Sequence, residues 1–272
     1  MSTTLSPYLT VANNLSQWQS YTAKTPAVQT ATQYFEKNIG SVTSAQQLIN
    51  NPRLFDYAMT AFGLSNMTYA KGLMQQVLQQ GVTSSKALAN TLDNSNILAF
   101  ANTFNFAENG AGTTSSASLV NRVVNQYVEN SLENNEGQQD PGVQLALYFQ
   151  QHAPSITNVY SILADKNLLT VVQTALGISP LTSMEPIDTQ AQMLQSKLNL
   201  SNFQNPTKLQ QFIEQFCAMY DANNNTPGST STSQNSTLTA ASLFQSSASN
   251  NGFIDISPTT ILNADNPNLG AL

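Results

Sequence analysis

The sequence PRLFDYAMTAFGLS at residues 52–65 decides the fold class, because it returns as KNLLTVVQTALGIS at residues 166–179, about 114 residues later. Leucine, threonine, alanine, glycine and serine recur in step between the two passages. The pairs are Leu54/Leu168, Thr60/Thr174, Ala61/Ala175, Gly63/Gly177 and Ser65/Ser179. A repeat at this distance predicts a duplicated helical scaffold, and it names no reaction.

The first passage has the apolar spacing of one buried helix face. Asn51 as cap and Pro52 as first helical residue predict where the helix begins. Gly63 predicts where it ends, because glycine adopts the left-handed conformation at least cost. The second passage repeats the stripe and the glycine. The stripe of the first passage, at i, i+1, i+4, i+7 and i+8, consists of Leu54, Phe55, Ala58, Ala61 and Phe62.

The repetition extends to a second helix in each half. Ile97, Phe100, Ala101 and Phe104 have the same spacing as a set of four residues about 112 positions later. That later set is Leu209, Phe212, Ile213 and Phe216, on a helix that Asn205 and Pro206 open. Segments 69–80 and 189–198 are predicted as weaker counterparts. The duplication is therefore expected to cover at least two helices per half.

The predicted fold class is all-α, an internally duplicated multi-helix domain of two related helical halves with an irregular C-terminal tail. Helices are expected at 8–23 and 27–38, and Thr43 with Gln46 has the spacing of a capping box. The polar, Ser- and Asn-rich composition after residue 222 predicts a linker. The expected organisation is an N-terminal helical segment at 1–40, a first half at 41–106, long connecting helices at 107–153, a second half at 154–222, and a linker and tail at 223–272.

The composition excludes several classes of function. Of the 272 residues only 9% are charged, and nine Lys and Arg against fifteen Asp and Glu leave a net charge of −6. The basic residues are scattered singly, so they cannot neutralise the phosphates of a nucleic acid or face an anionic membrane. The sequence contains no apolar run of about eighteen residues, so no transmembrane helix is predicted. The amino terminus has neither the basic start nor the apolar centre of a cleaved signal peptide.

Ser, Thr, Asn and Gln make up about two fifths of the chain and supply its solvated surface. One interpretation is that the surface residues have drifted toward neutral polar types in an organism that tolerates this composition. The other is export by an apparatus that does not use a cleaved signal. The single cysteine excludes an intrachain disulfide.

Four acidic residues form the most prominent candidate site. Glu129, Glu133, Glu136 and Asp140 fall at i, i+4, i+7 and i+11, which gives one stripe on a helix. The functional interpretation is a cation site or a patch for a basic partner; the structural one, which we favour, is a solvated face at a helix end. Carboxylates without nearby His or Cys are not a transition-metal signature, and an EF-hand loop is absent. No catalytic, cofactor-binding or metal-ligating residue is therefore assigned.

His152 and Cys217 are the remaining chemically reactive candidates. His152 ends a predicted helix before Ala153-Pro154, where it can bond the last carbonyls and meet the negative end of the helix dipole. No G-x-S-x-G sequence accompanies it, so a serine triad is not predicted. Cys217 follows Phe216 on a strong helix and is predicted to be a buried small side chain.

Two further segments have a structural and a functional interpretation. Residues 110–114 (GAGTT) precede a predicted long helix at 116–135, but no strand or lysine accompanies them, so a plain loop with a Ser or Thr cap is expected. Trp18, with Tyr8 and Tyr21, marks an amphipathic N-terminal segment. We expect this segment to pack on the body of the protein, and the alternative is a helix that binds a partner's groove.

The chain resembles a bacterial family known as domain of unknown function 1217. The resemblance lies in NPRLFDYAMTAFGLSNMTYAKGLMQQVLQQG at 51–81, LANTLDNSNILAFANTFNF at 88–106, and the block at 136–178 that begins EGQQDPGVQLALYFQQHAPS. It covers about residues 8–221. The resemblance implies an association with bacterial flagella through gene neighbourhoods, and it implies no catalytic residues, because none are assigned to the family.

The sequence thus predicts a non-enzymatic helical protein that acts through protein–protein contacts in flagellar export or assembly, without a cofactor. It is expected to be cytoplasmic or exported by the flagellar apparatus, with flagellar components as partners. The alternative is a small-ligand binder or an enzyme with its site at the seam between the halves. The acidic stripe and His152 would be the first residues to test there.

Overall fold

The computed structural model describes residues 3–92 and 94–224, and within these ranges the fold is all-helical, as predicted. The predicted irregular tail falls on residues outside the described part. Short 3₁₀ helices, η1 (Ser65–Met67), η2 (Gly110–Ser115), η3 (Ala153–Ser155), η4 (Pro180–Met184) and η5 (Leu200–Gln204), join longer elements. The α-helices are α1 (Leu5–Ala12), α2 (Leu15–Ala23), α3 (Pro26–Ile39), α4 (Ala45–Asn50), α5 (Pro52–Ala61), α6 (Lys71–Gln80), α7 (Leu88–Thr91), α8 (Ser95–Thr103), α9 (Phe106–Asn109), α10 (Ala117–Gln139), α11 (Pro141–His152), α12 (Val159–Ala164), α13 (Lys166–Ala175), α14 (Ile187–Lys197) and α15 (Pro206–Asn224).

The buried apolar side chains form two clusters. The first core is drawn from residues 35–123, on α3 to α10, and includes Phe35, Phe55 and Phe100. The second core combines α1 with residues 132–217, and includes Phe149 and Phe216. Each such side chain contributes on the order of 1.5–3 kcal/mol by its burial. The fold is therefore held by two apolar centres.

Helix α10 joins the two cores, because it supplies side chains to both. Its N-terminal half buries Leu119 and Val123 in the first core, and its C-terminal half buries Leu132 in the second. It packs against α5 and α3 on one side of the molecule and against α11 and α2 on the other. The same helix carries three of the four predicted acidic residues, Glu129, Glu133 and Glu136.

Helix α5 begins and ends where the sequence predicts. The Asn51 Oδ1 atom accepts a hydrogen bond from the backbone N–H of Leu54 at 3.2 Å, and Pro52 is the first helical residue. At the other end Gly63 has φ +66°, and the N–H of Leu64 donates to the carbonyl of Met59 at 2.8 Å. This is the pattern of a glycine-ended helix, in which the last carbonyls are satisfied by the chain that turns back.

Helix α13 begins and ends in the same way as α5. Asp165 Oδ1 accepts from the N–H of Asn167 at 2.8 Å and of Leu168 at 3.0 Å, and Gly177 has φ +62°. The helix before each of the two is also matched, since α4 begins at Ala45 and α12 at Val159. Both pairs of helices are 114 residues apart.

The predicted single helix at 8–23 is wrong. The chain breaks into α1 and α2 at Asn13 and Asn14, and Asn14 has the non-helical angles φ −130° and ψ 33°. Asparagine competes with helical hydrogen bonding, and here the Asn14 side chain donates to the carbonyl of Thr10. The break lets α1 pack on α11 and α15 while α2 packs on α10.

The predicted capping box at Thr43 and Gln46 is displaced by one residue. Ser44 is the N-cap of α4, and its Oγ accepts from the N–H of Gln47 at 3.3 Å. Gln47 in turn accepts from the Thr43 N–H at 2.8 Å. The two adjacent hydroxyl residues offer the same local pattern, so the sequence identified the helix start but chose the wrong cap.

In the described part of the chain, no helix combines the length and the apolar character needed to cross a bilayer.

Candidate functional site

The four acidic residues do not form one continuous surface. Glu129, Glu133 and Glu136 lie on α10, whereas Asp140 is the cap that begins α11. The Asp140 Oδ1 atom accepts from the N–H of Gly142 at 2.8 Å, and its Oδ2 accepts from the Thr4 hydroxyl at 3.1 Å. Asp140 therefore has a structural role that satisfies a helix end.

Glu133 is buried, so the interpretation of the stripe as a solvated face is wrong for this residue. Its side chain is 4% exposed, at a point where α10 packs against α11 and α2. Within the described residues no hydrogen bond or ion pair to its carboxyl group is found. Burial, together with the charge of Glu129, raises the pKa of Glu133 to about 8. Burial raises the pKa of Glu129 as well.

A cavity of about 250 Å³ lies beside Glu133. Three leucines give it apolar walls, and four polar side chains from α10 and α11 complete it. The Oε1 atom of Gln151 is buried and has no hydrogen-bond partner in the described structure. The cavity therefore combines apolar walls with two carboxyl and two amide side chains. Its lining residues are Leu15, Glu129, Leu132, Glu133, Leu147, Gln150 and Gln151.

A polar network adjoins this cavity and is centred on Tyr148. The Tyr148 hydroxyl donates to Asp165 Oδ2 at 2.6 Å and accepts from Asn96 Nδ2 at 3.2 Å. Burial raises the pKa of Tyr148, and the charges of Asp165 and Glu133 raise it further. The network joins α8, α11 and the start of α13, and its polar atoms satisfy one another. This arrangement fixes helices rather than exposing a reactive group.

His152 belongs to the same region. Its ring stacks on Tyr148 with 3.9 Å between centroids, and its Nδ1 atom lies 2.9 Å from the Tyr148 carbonyl oxygen. Nδ1 therefore carries the proton and donates it to a carbonyl of the last turn, which confirms the predicted hydrogen bond at the helix end. Burial lowers the pKa of His152, although the Tyr148 carbonyl and Asp165 act in the opposite direction. His152 thus lies against Tyr148, and the charge of Glu133 also acts on the Tyr148 hydroxyl group.

Cys217 is a buried side chain, as predicted. It is fully buried in the second core, and burial raises the pKa of its thiol to about 12, helped by the charge of Asp221. A thiol in this state is not a nucleophile at neutral pH.

The glycine-rich segment forms the 3₁₀ helix η2 instead of the predicted loop. Thr114 donates to the carbonyl of Val42, and Thr113 donates to the carbonyl of Gly110 at 2.8 Å. Ser116 occupies the N-cap position of α10, as predicted for a Ser or Thr, but its side chain makes no capping hydrogen bond. Both buried threonines fix the entry to α10 against the first core.

The aromatic residues of the amino terminus pack on the protein, as expected. Tyr8 is buried in the second core, and the half-buried Trp18 packs against the same cluster. Tyr21 is exposed and touches the edge of Trp18.

The part of the chain that the structure describes contains no group of three or more His, Cys, Asp and Glu side chains arranged to hold a metal ion.

An exposed apolar surface lies at the start of α14, and the sequence analysis missed it. We define the α14 patch as Tyr160, Leu181, Met184 and Ile187, all of which are exposed. Met184 is 84% exposed. A 3₁₀ helix has three residues per turn, so Leu181 and Met184 share one face of η4. The Tyr160 hydroxyl donates to Asp188 Oδ1 at 3.1 Å, which brings α12 to the same surface.

Two carboxylates border the α14 patch. Glu185 precedes α14 and Asp188 lies in its first turn, and both are exposed. The sequence LTSMEPI does carry a signal, because its apolar residues recur every three positions along a segment that follows Pro180 and contains Pro186. A period of three beside two prolines predicts a short 3₁₀ helix, but exposure depends on which neighbours cover it.

Comparison with known proteins gives a family and a fold. The family model described as a protein of unknown function (DUF1217) matches residues 61–209. A crystal structure of a protein from Agrobacterium tumefaciens is similar over 81% of this chain and 94% of its own, with 31% sequence identity and a TM-score of 0.76. A search among curated proteins gave no match.

Proposed function

The chain belongs to the DUF1217 family, and we propose that it is a non-enzymatic helical protein that binds a partner protein through the α14 patch. The observation that carries this proposal is the exposure of Leu181, Met184 and Ile187 beside Tyr160. Exposed single apolar residues are ordinary, but contiguous ones bordered by polar groups mark contact surfaces. Methionine adapts its shape to a partner, and tyrosine adds area at low entropic cost.

The charge of the patch indicates the chemistry of its partner. Glu185 and Asp188 stand at its border without a basic residue within the segment 180–190, and the whole chain carries a net charge of −6. Complementary potentials favour a partner segment that presents apolar side chains flanked by Lys or Arg. The expected occupant is thus an amphipathic, basic segment of another protein.

We place this contact in flagellar export or assembly, with the protein either cytoplasmic or exported by that apparatus. The resemblance described above supports this setting, since it implies an association with flagella through gene neighbourhoods. The abundance of Ser, Thr, Asn and Gln supports the export variant. An enzymatic role finds less support, because the paired polar atoms around Tyr148 have the character of a structural network.

A photo-crosslinking amino acid at position 184, in living cells, tests the contact. The control carries it at Tyr69, which is 83% exposed but lies in the first half of the chain. We expect position 184 to crosslink to a flagellar export or assembly component, identified by mass spectrometry, and position 69 to give much less of that product. Equal crosslinking at both positions, or no flagellar component at 184, contradicts the proposal.

A chromosomal Met184→Ser variant tests whether the contact matters. Truncation at the centre of an interface typically weakens binding by about 1–2 kcal/mol or more, roughly tenfold. We expect reduced swimming and filament assembly relative to wild type and to Tyr69→Ser, at equal protein levels. Unchanged motility on deletion of the whole gene would remove the flagellar setting. Culture fluid from strains with and without the flagellar exporter separates export from a cytoplasmic role.

We also infer that the scaffold arose by internal duplication. The constant separation of 114 residues between α4–α5 and α12–α13, and the shared glycine ends, support it. A further likeness is that the carbonyls of Ala61 and Ala175, each at the end of its helix, accept a side-chain amide. The donors are Asn130 Nδ2 at 3.0 Å and Gln215 Nε2 at 2.8 Å. Failure of residues 45–64 to superpose on 159–178 in a crystal structure would contradict the duplication.

A further inference from the structure

We propose that the cavity between α2, α10 and α11 binds an alkylammonium group, with the ammonium on Glu133 and the methylene chain against the leucine walls. The group would belong to a free aliphatic amine or to a lysine side chain. This inference is independent of the α14 patch, because it concerns a different surface and a different ligand.

Glu133 is the first observation that supports the site. It lines the cavity, it is 4% exposed, and in the described structure its carboxyl group has no hydrogen-bond or ion-pair partner. Burial of a carboxyl group without a partner costs free energy in either protonation state, and the cost is larger for the charged form. A cation that enters the cavity would supply the missing partner.

Gln151 is a second and independent observation. Its Oε1 atom is buried without a hydrogen-bond donor, although buried amide oxygens are almost always satisfied. The Gln151 side chain lines the same cavity from α11, whereas the two carboxyl groups line it from α10. The Glu133 carboxyl group from α10 and the Gln151 side chain from α11 therefore line one space, and an ammonium group that enters it offers three donors.

The walls select an aliphatic amine rather than a metal ion. Leu15, Leu132 and Leu147 give the cavity an apolar lining suited to methylene groups. Ca²⁺ and Mg²⁺ take about six oxygen ligands, and three of the seven side chains that line this cavity are leucines, which offer none. The volume of about 250 Å³ suits a short chain and lies below that of typical drug-sized pockets, about 300–1,000 Å³.

Binding should release a proton. The pKa of Glu133 is about 8, so the carboxyl group is mostly protonated at pH 7 and must ionise to receive an ammonium. The groups that face it are Glu129 on α10, and Tyr148 with His152 and Asp165 beyond it on α11 and α13. Helix α2 contributes no Asp, Glu, Lys, Arg or His. Affinity is therefore expected to rise with pH up to about pH 8 and then to level.

Isothermal titration calorimetry on the full chain tests the site with n-butylammonium, Nα-acetyl-lysine amide and, as a neutral control, 1-butanol. Titrations at pH 7 in two buffers of different ionisation enthalpy measure proton release. We expect saturable binding of at least one amine, release of about one proton, and no binding of 1-butanol. The more tightly bound amine identifies whether a free amine or a lysine side chain is the natural ligand.

Two variants provide the comparison. Glu133→Gln keeps the shape but removes the charge, and it should weaken amine binding roughly tenfold or more, because a hydrogen bond to a charged group contributes about 1.5–3 kcal/mol. Glu136→Gln, on the same helix but outside the cavity lining, should bind as wild type does. Circular dichroism confirms that each variant is folded. Binding of neither amine to wild type, or equal binding by Glu133→Gln, would overturn the proposal.

Discussion

At the scale of single residues, the buried carboxyl group of Glu133 lowers the stability of the fold when it ionises. A carboxyl group whose pKa is ordinarily 4.5 is held in an environment where its pKa is about 8, mainly because of burial. Tyr148 and Tyr57 have raised pKa values for the same reason, but each hydroxyl is satisfied by a neighbour. Glu133 is different because it has no such partner in the described structure, so its ionisation acts against folding.

We expect Glu133→Gln to stabilise the protein at high pH and to have little effect at low pH. Below pH 4.5 the carboxyl group is protonated in both the folded and the unfolded chain. Between pH 4.5 and about 8 the unfolded chain loses the proton while the folded one keeps it, so stability falls as pH rises. Above pH 8 the full penalty is present, on the order of 3–5 kcal/mol.

Urea unfolding at pH 5 and pH 8.5 measures this difference. The glutamine variant should exceed wild type by a few kcal/mol at pH 8.5, and by much less at pH 5, whereas Glu136→Gln should track wild type more closely because Glu136 is half-buried. The same free-energy difference for Glu133→Gln at both pH values would show that charge is not the cause.

At the scale of elements, α3, α5 and α13 each end on a glycine, and these glycines differ in backbone conformation. Gly63 and Gly177 both have positive φ, which side-chain-bearing residues adopt at a cost. Gly40 ends α3 with φ −62°, an ordinary helical value. Alanine substitutions at such positions therefore distinguish the cost of the backbone conformation from the cost of fitting a Cβ atom.

We expect Gly177→Ala to destabilise the protein by about 1–2 kcal/mol. A Cβ atom there would meet only Met219 Cε at 3.8 Å, an ordinary contact, so the cost comes from the backbone alone. Gly40→Ala is the matched control, since a Cβ atom there meets nothing within 4 Å. It should be neutral or stabilising by up to about 1 kcal/mol. Thermal unfolding measures both, and equal effects would contradict the assignment.

The sequence predicted the elements well where local chemistry decides them. Asn51, Pro52 and Gly63 determine α5 through backbone hydrogen bonds within a few residues, and each was identified correctly. The prediction from sequence failed where two neighbouring residues can both cap a helix, as Thr43 and Ser44 can at the start of α4. It also failed at Asn13 and Asn14, where the packing of α1 and α2 on different helices decides that the chain breaks.

The candidate sites were predicted less well, because burial is a property of the assembled helices. The spacing of Glu129, Glu133 and Glu136 placed them on one helix, but it could not show that α2 and α11 cover Glu133. The exposure of Met184 depends equally on which helices leave it uncovered. His152, Cys217 and the packing of the N-terminal aromatic residues were predicted correctly, because a helix end and an apolar helix face are local features.

At the scale of the whole molecule, α10 makes the two cores depend on each other. The helix has 23 residues and buries Val123 in the first core and Leu132 in the second. If one core unfolds, part of α10 loses the packing that supports most helices in proteins. The described part of the chain should therefore unfold as one cooperative unit.

Phe100→Leu in the first core tests this dependence, with Trp18 as the reporter in the second. Trp18 is the only tryptophan and packs against the second core. We expect the substitution to cost about 1 kcal/mol and to shift the urea midpoints of Trp18 fluorescence and of far-UV circular dichroism together. A fluorescence midpoint that stays at its wild-type value while circular dichroism becomes biphasic would show two independent units.

Cys217 allows the opening of the second core to be measured by chemical labelling of its thiol. The chain has no other cysteine, and this thiol lies fully buried with a pKa of about 12. A thiol reagent can reach it only when the second core opens, so the rate of labelling counts opening events without any engineered probe. For the same reason a cysteine introduced at a surface position would be labelled first, which leaves the native thiol in place as an internal standard.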